Sequence, residues 1–190
     1  MRLVSLDVPN SGMAVSIDTG DAIALHPRNK KPIGLRHAYL ALGQTYGKEI
    51  VDQGPRYRKQ TNKGNRIVLH FDSIGGGLMG ATEGKLNSFA IAGEDRVWQW
   101  AEATIDVGAV VLSSPLVERP IAVRYAWAMN PSQRNLLYNK EGLPASPFRT
   151  DNWPLFDVEH DEIIEVNKPK KPDGYQPTDW KRPAMTATRL

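Results

Sequence analysis

Hydrophobic and polar positions change their rhythm near residue 56. Upstream, Met13-Ala-Val-Ser-Ile17 alternates as a strand does, entered from the turn Pro9-Asn-Ser-Gly12 and left through Asp18-Thr-Gly20. A helix is expected from Pro32, since proline is tolerated in a first helical turn. Leu35, Ala38, Tyr39, Leu42 and Tyr46 then recur at helical spacing, and Gly47-Lys48 reads as the stop. Gly34 and Gly43 each weaken that helix by about 1 kcal/mol relative to alanine, which points to tight packing as their reason. Ile50-Val51 leads into a break at Gly54-Pro55.

From residue 56 the pattern is that of short strands. Arg66–Phe71, Leu86–Ile91, Val97–Trp100, Ala109–Leu112 and Ile121–Trp127 follow one another. Turn signals at Gly75-Gly-Gly77, Ala92-Gly-Glu-Asp95, Asp106-Val-Gly108 and Ser113-Ser-Pro-Leu116 separate them. Strands at this spacing predict an antiparallel sandwich. Pro131 to Pro154 is rich in Asn and Pro and is expected to wrap the surface. Beyond Asp157 the chain is charged and proline-rich, and reads as extended or disordered. The expected class is α+β, with a mixed segment over residues 1–55, a β-sandwich domain over 56–154 and a tail over 155–190.

Composition narrows the chemistry. Lys and Arg exceed Asp and Glu by 24 − 21 = 3, and these charges are scattered, so a nucleic-acid footprint is not expected. The chain has no cysteine, which excludes disulfides, thiolate nucleophiles and Cys-based metal sites. No apolar run reaches the roughly 18 residues of a membrane helix, and the first ten residues lack the apolar core of a signal peptide. The four histidines, His26, His37, His70 and His160, show no His-x-His or His-x3-His spacing, so neither metal nor cofactor is expected. Neither a Gly-x-Ser-x-Gly elbow nor a Gly-Asp-Ser or Gly-Gln-Ser block is present. The glycine run 75–77 lacks the Gly-Lys-Ser/Thr of a phosphate loop.

An ordered set of motifs carries a resemblance. Gly12-Met-Ala-Val-Ser-Ile-Asp18, His26-Pro-Arg-Asn-Lys30, Gly47 and Gly54-Pro55 come first. Phe89-Ala-Ile-Ala-Gly-Glu-Asp95, Val123-Arg-Tyr-Ala-Trp127, Asn130-Pro131 and Asn135-Leu-Leu-Tyr-Asn139 continue it, and Gly142 to Asp151 closes it. Over residues 8–154 the chain resembles the C-terminal portion of sialate O-acetylesterases, in the SGNH-hydrolase group. That resemblance implies a flavodoxin-like α/β catalytic domain whose last strand, loop and helix fall within residues 1–55, with an accessory β-domain over 56–154. It implies an extracellular or periplasmic enzyme acting on acetyl esters of sialic acid or another acylated sugar. It assigns His26 as the base that takes the serine proton. The nucleophilic serine block has no counterpart here, so the chain is expected to be inactive alone unless a separate serine-bearing chain completes it.

In many SGNH enzymes an acid stands three residues before that histidine; here the position is Ile23, and Asp21 and Asp18 are the nearest carboxylates upstream. His37, His70 and His160 read as structural or solvated. Arg124, flanked by apolar strand residues, is expected to pair with a carboxylate, with Glu94 and Asp95 as candidates. Trp98 and Trp100 are assigned to one core-facing strand face, and Trp153 to an exposed role. These tryptophans also support an alternative, a non-catalytic carbohydrate-binding or interaction module, because their rings offer flat apolar faces with a polar N–H.

Overall fold

The computed structural model describes residues 8–9, 11–21, 26–128, 130–154, 156–157 and 162–163. Their fold is α+β and dominated by antiparallel sheet. One helix, α1 (Lys31–Leu40), is followed by twelve strands. These are β1 (Arg56–Lys63), β2 (Arg66–Asp72), β3 (Leu78–Gly80), β4 (Phe89–Ala92), β5 (Gln99–Trp100) and β6 (Glu102–Asp106). The rest are β7 (Ala109–Ser113), β8 (Ala122–Tyr125), β9 (Leu137–Asn139), β10 (Phe148–Arg149), β11 (Phe156–Asp157) and β12 (Glu162–Ile163).

Two four-stranded sheets, β1-β2-β7-β6 and β10-β8-β4-β5, share one core. Ile67, Leu69 and Phe71 alternate inward from β2, as a sheet with one wet face requires. They meet Phe89 and Ile91 of β4, Val123 and Tyr125 of β8, and Phe148 of β10. The Phe148 ring stacks on Tyr57 at 4.7 Å between centroids and meets Phe71 edge-on at 5.9 Å. Tyr125 accepts a hydrogen bond on its buried hydroxyl from the Leu137 N–H at 2.9 Å. Burial pushes that phenol well above its ordinary pKa, so it stays neutral.

Two strands carry a weak apolar signal: β1, with Tyr57 alone, and β6, where Ala103 and Ile105 alternate and only Ala103 is buried. Hairpin geometry places them instead. The turn Gly64-Asn65, with Gly64 at φ +59°, joins β1 to β2, and Val107-Gly108 joins β6 to β7.

Residues 131–154 correct the surface-wrap expectation. Leu136, Leu137, Leu143, Ala145 and Phe148 are all buried. Asparagine is what makes this possible. Asn135 Oδ1 accepts from the Thr82 N–H at 2.7 Å, while its Nδ2 donates to the Lys85 carbonyl at 2.7 Å. Asn139 Oδ1 accepts from the Leu143 N–H at 2.9 Å. These side chains satisfy backbone groups that an irregular buried segment would otherwise leave orphaned.

Upstream of residue 56 the structure departs further from expectation. Residues 13–17 form no strand, and no described strand pairs with them. The helix is α-helical for ten residues and ends in a π-turn over Ala41–Thr45, before Gly47 at φ +63°. Its buried residues are Arg36 and Leu40, whereas Leu35, Leu42 and Tyr46 are 43%, 38% and 70% exposed. Gly43 does face a close neighbour, since a Cβ there would lie 2.9 Å from Asp52; one at Gly34 would meet nothing. Of residues 155–190, only the β11–β12 pair is described; Trp180, His160 and the rest of the basic proline-rich stretch lie outside the described residues.

Candidate functional site

His26 sits at a bend, exposed, five residues before α1 begins at Lys31. Lys30 Nζ reaches back to the Pro27 carbonyl at 2.7 Å, rounding the approach to the helix. Ile23 lies outside the described residues.

The carboxylate of Asp18 is already committed. Its Oδ1 and Oδ2 accept from Arg36 Nη1 and Nη2 at 2.7 and 2.6 Å, a bidentate pair. Arg36 Nη1 also donates to the Val15 carbonyl at 2.6 Å, and the Tyr138 hydroxyl donates to Asp18 Oδ2 at 3.0 Å. Burial, together with the charge of Asp18 and its bond to the ring hydroxyl, raises the Tyr138 pKa, so Tyr138 remains a donor. Asp18 is thus a structural anchor. It joins the segment before His26 to the helix after it, and both to β9.

Other residues hold the same segment against the sandwich. Gln133 Nε2 donates to the Gly20 carbonyl at 2.8 Å, and Ile17 packs against the core. Asn139, fully buried, donates to the Gln53 carbonyl at 3.0 Å. Gly54 lies against the Pro144 carbonyl so closely that a Cβ there would collide with backbone. Sequence patterns mark Gly12, Asp18, Gly54, Tyr138 and Asn139 as motif positions but give no sign of the Arg36–Asp18, Gln133–Gly20 and Tyr138–Asp18 contacts, which span 18, 113 and 120 residues.

The second polar cluster lies on the outer face of the β10-β8-β4-β5 sheet. Register sets Arg149, Arg124, Ala90 and Trp100 in one cross-strand row. Arg124 does pair with a carboxylate, but the partner is Asp151 and neither Glu94 nor Asp95: Nε and Nη2 donate at 2.9 and 2.8 Å. Arg149 adds a 3.0 Å contact to Asp151 Oδ1. Burial favours the neutral acid, yet the Arg124 hydrogen bonds and charge, the Arg149 charge and the Trp153 N–H together hold the Asp151 carboxyl below its ordinary pKa.

The tryptophans cover this pair. The Arg124 guanidinium stacks 4.2 Å from the Trp98 centroid, Trp98 meets Trp153 at 5.4 Å, and Arg96 lies 5.4 Å from Trp153. Trp98 and Trp153 are half-buried in this ladder, and Trp100 is 53% exposed on the edge strand. Both assignments change: the Trp98–Trp100 pair is outside the main core, and Trp153 is packed. Of the other histidines, His37 donates from Nδ1 to the Ile33 carbonyl at 2.9 Å on α1, and His70 is half-buried on β2. Among the described residues, no group of three or more His, Asp or Glu is arranged to hold a metal, and no helix is long and apolar enough to cross a membrane.

The architecture is therefore an antiparallel sandwich to which a histidine-bearing loop and helix are fastened by side-chain pairs. No protein-family model matches this chain, and no curated protein matches it. Among solved structures it is similar to a carbohydrate acetylesterase from Xanthomonas citri, with 40% identity and a TM-score of 0.74. The match covers 78% of this chain and 34% of that one, so the chain spans about a third of the enzyme's length.

Proposed function

We propose that this chain supplies the histidine-bearing end of a serine-dependent carbohydrate acetylesterase of the sialate O-acetylesterase type. The observation that carries this reading is the 40% identity, over 78% of the chain, to a carbohydrate acetylesterase. Residues 1–55 are the last strand, loop and helix of an SGNH-type, flavodoxin-like catalytic domain. Residues 56–154 are its accessory β-domain. Two features support that division. The apolar face of Leu35, Leu42 and Tyr46 is uncovered, as it is when a helix lacks the sheet it packs on. Residues 13–17 alternate like a strand but pair with nothing described.

In this reading His26 takes the proton from a serine hydroxyl, contributed from outside the 190 residues, as that oxygen attacks the acetyl carbonyl. The same proton then passes to the departing sugar oxygen, and a second cycle with water releases acetate. Asp18 does not orient the imidazole, because both its oxygens are held by Arg36 and Tyr138. The candidates left for orienting it are Asp21, five residues upstream, and a backbone carbonyl.

The test is reconstitution with the Xanthomonas citri enzyme from which the matching third has been removed. Acetate release from an acetylated sugar should need both pieces and vanish with His26→Ala. An inactive wild-type pair counts against the reading. So does turnover of an aryl acetate by the chain alone that His26→Ala abolishes.

A second reading, carbohydrate binding without catalysis, is favoured by one observation, the exposed Trp100 beside Trp98. Calorimetric titration with acetylated sugars and plant polysaccharides decides it: heat lost in Trp100→Ala supports it, and no heat with wild type removes it.

A further inference from the structure

We propose that the β-domain positions the His26 loop through a clasp, in which Tyr138 and Gln133 hold the Asp18–Arg36 pair and the Gly20 backbone in place. The inference rests on the proposed role of His26 and assigns Tyr138 and Gln133 as positioning residues.

The geometry is that of a closed loop. Asp18 precedes His26 by eight residues and Arg36 follows it by ten, and their bidentate pair brings the two ends of the loop together. Left to itself, that pair would fix the size of the loop but not its place. Place comes from β9. Tyr138 lies between Leu137 and Asn139, both fully buried, and its strand pairs with β3. Its hydroxyl therefore reaches Asp18 from a rigid support at 3.0 Å. A short distance along the chain, Gln133 Nε2 donates to the Gly20 carbonyl at 2.8 Å, which fixes the backbone six residues before His26. Asn139 completes the arrangement by holding Gln53, beyond the helix, at 3.0 Å.

An acyl-transfer base is useful only near its productive position, because a misplacement on the order of 1 Å can lower a rate by about a hundredfold. Among the described residues between Asp18 and Lys30, none belongs to a helix or strand. The precision of this loop must come from its anchors, and these belong to the β-domain. The accessory domain is on this view part of the catalytic apparatus, through the residues that position His26.

Two variants of the 190-residue chain test the clasp, Tyr138→Phe and Gln133→Ala. Each removes a hydrogen bond to the loop while leaving the Asp18–Arg36 pair. Backbone 15N heteronuclear NOEs at Gly20, Asp21 and His26 should fall, with the amides of β2, β4 and β7 unchanged as the control for folding. In the reconstituted esterase, kcat should fall about tenfold to a hundredfold with KM unchanged. Unaltered loop NOEs in both variants overturn the clasp. Loosened loops with wild-type kcat overturn its positioning role. Failure of the wild-type pair to reconstitute strikes the esterase reading alone, and the NOEs still decide the clasp.

Discussion

The two regions of this molecule are stabilised in different ways. The sandwich from β1 to β10 encloses its apolar residues, with Ile67, Leu69, Phe89, Ile91, Val110, Leu112 and Val123 fully buried. Among the described residues of the segment 11–55, Leu40 is buried while Leu35, Leu42, Tyr46 and Ile50 are presented to solvent. Polar contacts attach it: Arg36 to Asp18, Tyr138 to Asp18, Gln133 to Gly20 and Asn139 to Gln53. Burial of apolar area is the main stabilising force in folding, so the first region stands by its own core. The second is docked rather than independently folded. The comparison can be broken by substitutions that act on one region and spare the other.

The largest effect belongs to the sandwich. Asp151 is the shared acceptor of Arg124 and Arg149 at 1% side-chain exposure, so Asp151→Ala leaves a buried guanidinium unpaired. Removing one partner of a buried pair costs about 3–5 kcal/mol, and the sandwich should show it as a large drop in urea midpoint. Acid has a related effect. The folded pKa of Asp151 lies below its unfolded value, so its contribution is complete above about pH 3.9 and is lost as pH falls through the lower folded value. Stability measured between pH 5 and pH 2 should decline less in Asp151→Asn, which starts lower and has no carboxylate to protonate.

A smaller and more local effect is expected at the docked segment. Arg36→Ala removes the Asp18 pair and the Val15 contact together. The segment should open while the sandwich persists, since sub-global opening follows local contact energy. Limited proteolysis should then cut within residues 11–50 at least tenfold faster, equivalent to about 1.4 kcal/mol of local stability, with the sandwich melting temperature nearly unchanged. Cutting and melting that change together would join the two regions into one cooperative unit.

The sequence makes the two regions legible to different degrees. The run Arg66–Phe71 marks a strand because one face is buried and the other wetter, while Ala109–Leu112 marks one as a short continuous apolar run. The strands β1 and β6 are faint in the same code, with Tyr57 alone and the pair Ala103 and Ile105, because hydrogen bonding to a neighbour and a two-residue turn place them. Helical spacing groups Leu35, Leu42 and Tyr46 on one face, but exposure is a property of neighbours, and the described residues leave them 43%, 38% and 70% exposed. At the site, His26 and Asp18 were visible as motif positions. The pairings of Tyr138, Gln133 and Asp151 were not, although Tyr138 and Asp151 fall within the motifs, because long-range pairing between ordinary polar residues has no local signature. Arg124 shows the limit well: its need for a carboxylate follows from its apolar strand, while the choice of Asp151 over Glu94 or Asp95 depends on the β8–β10 register.

The turn between β6 and β7 offers a smaller adjustment confined to the sandwich. Val107 holds φ +40° and is 98% exposed, a left-handed conformation that a β-branched residue adopts at a cost. Its neighbour Gly108 is also at positive φ, +75°, and Asn-Gly is the favoured pair for such a turn. Val107→Asn should therefore stabilise the sandwich by about 1 kcal/mol, read as a raised urea midpoint at constant m-value. The rate of proteolysis within residues 11–50 should not change, because the turn makes none of the docking contacts.

The smallest expected change in stability is at the exposed helix face, and it is the most informative about what that face is for. Leu42→Glu places a charge where the side chain already meets water, so unfolding should move by less than about 0.5 kcal/mol. A face that served the sandwich would respond far more, by about 2–5 kcal/mol, as core leucines do when truncated. A face that serves the proposed serine-bearing partner has the opposite profile. The isolated chain is then indifferent to the charge, while reconstitution of acetylesterase activity fails, because burying an unpaired carboxylate in an apolar interface is prohibitive. Normal reconstitution by Leu42→Glu would remove the helix from that interface, whatever becomes of His26. A destabilised chain would instead show that the helix belongs to the sandwich's own core.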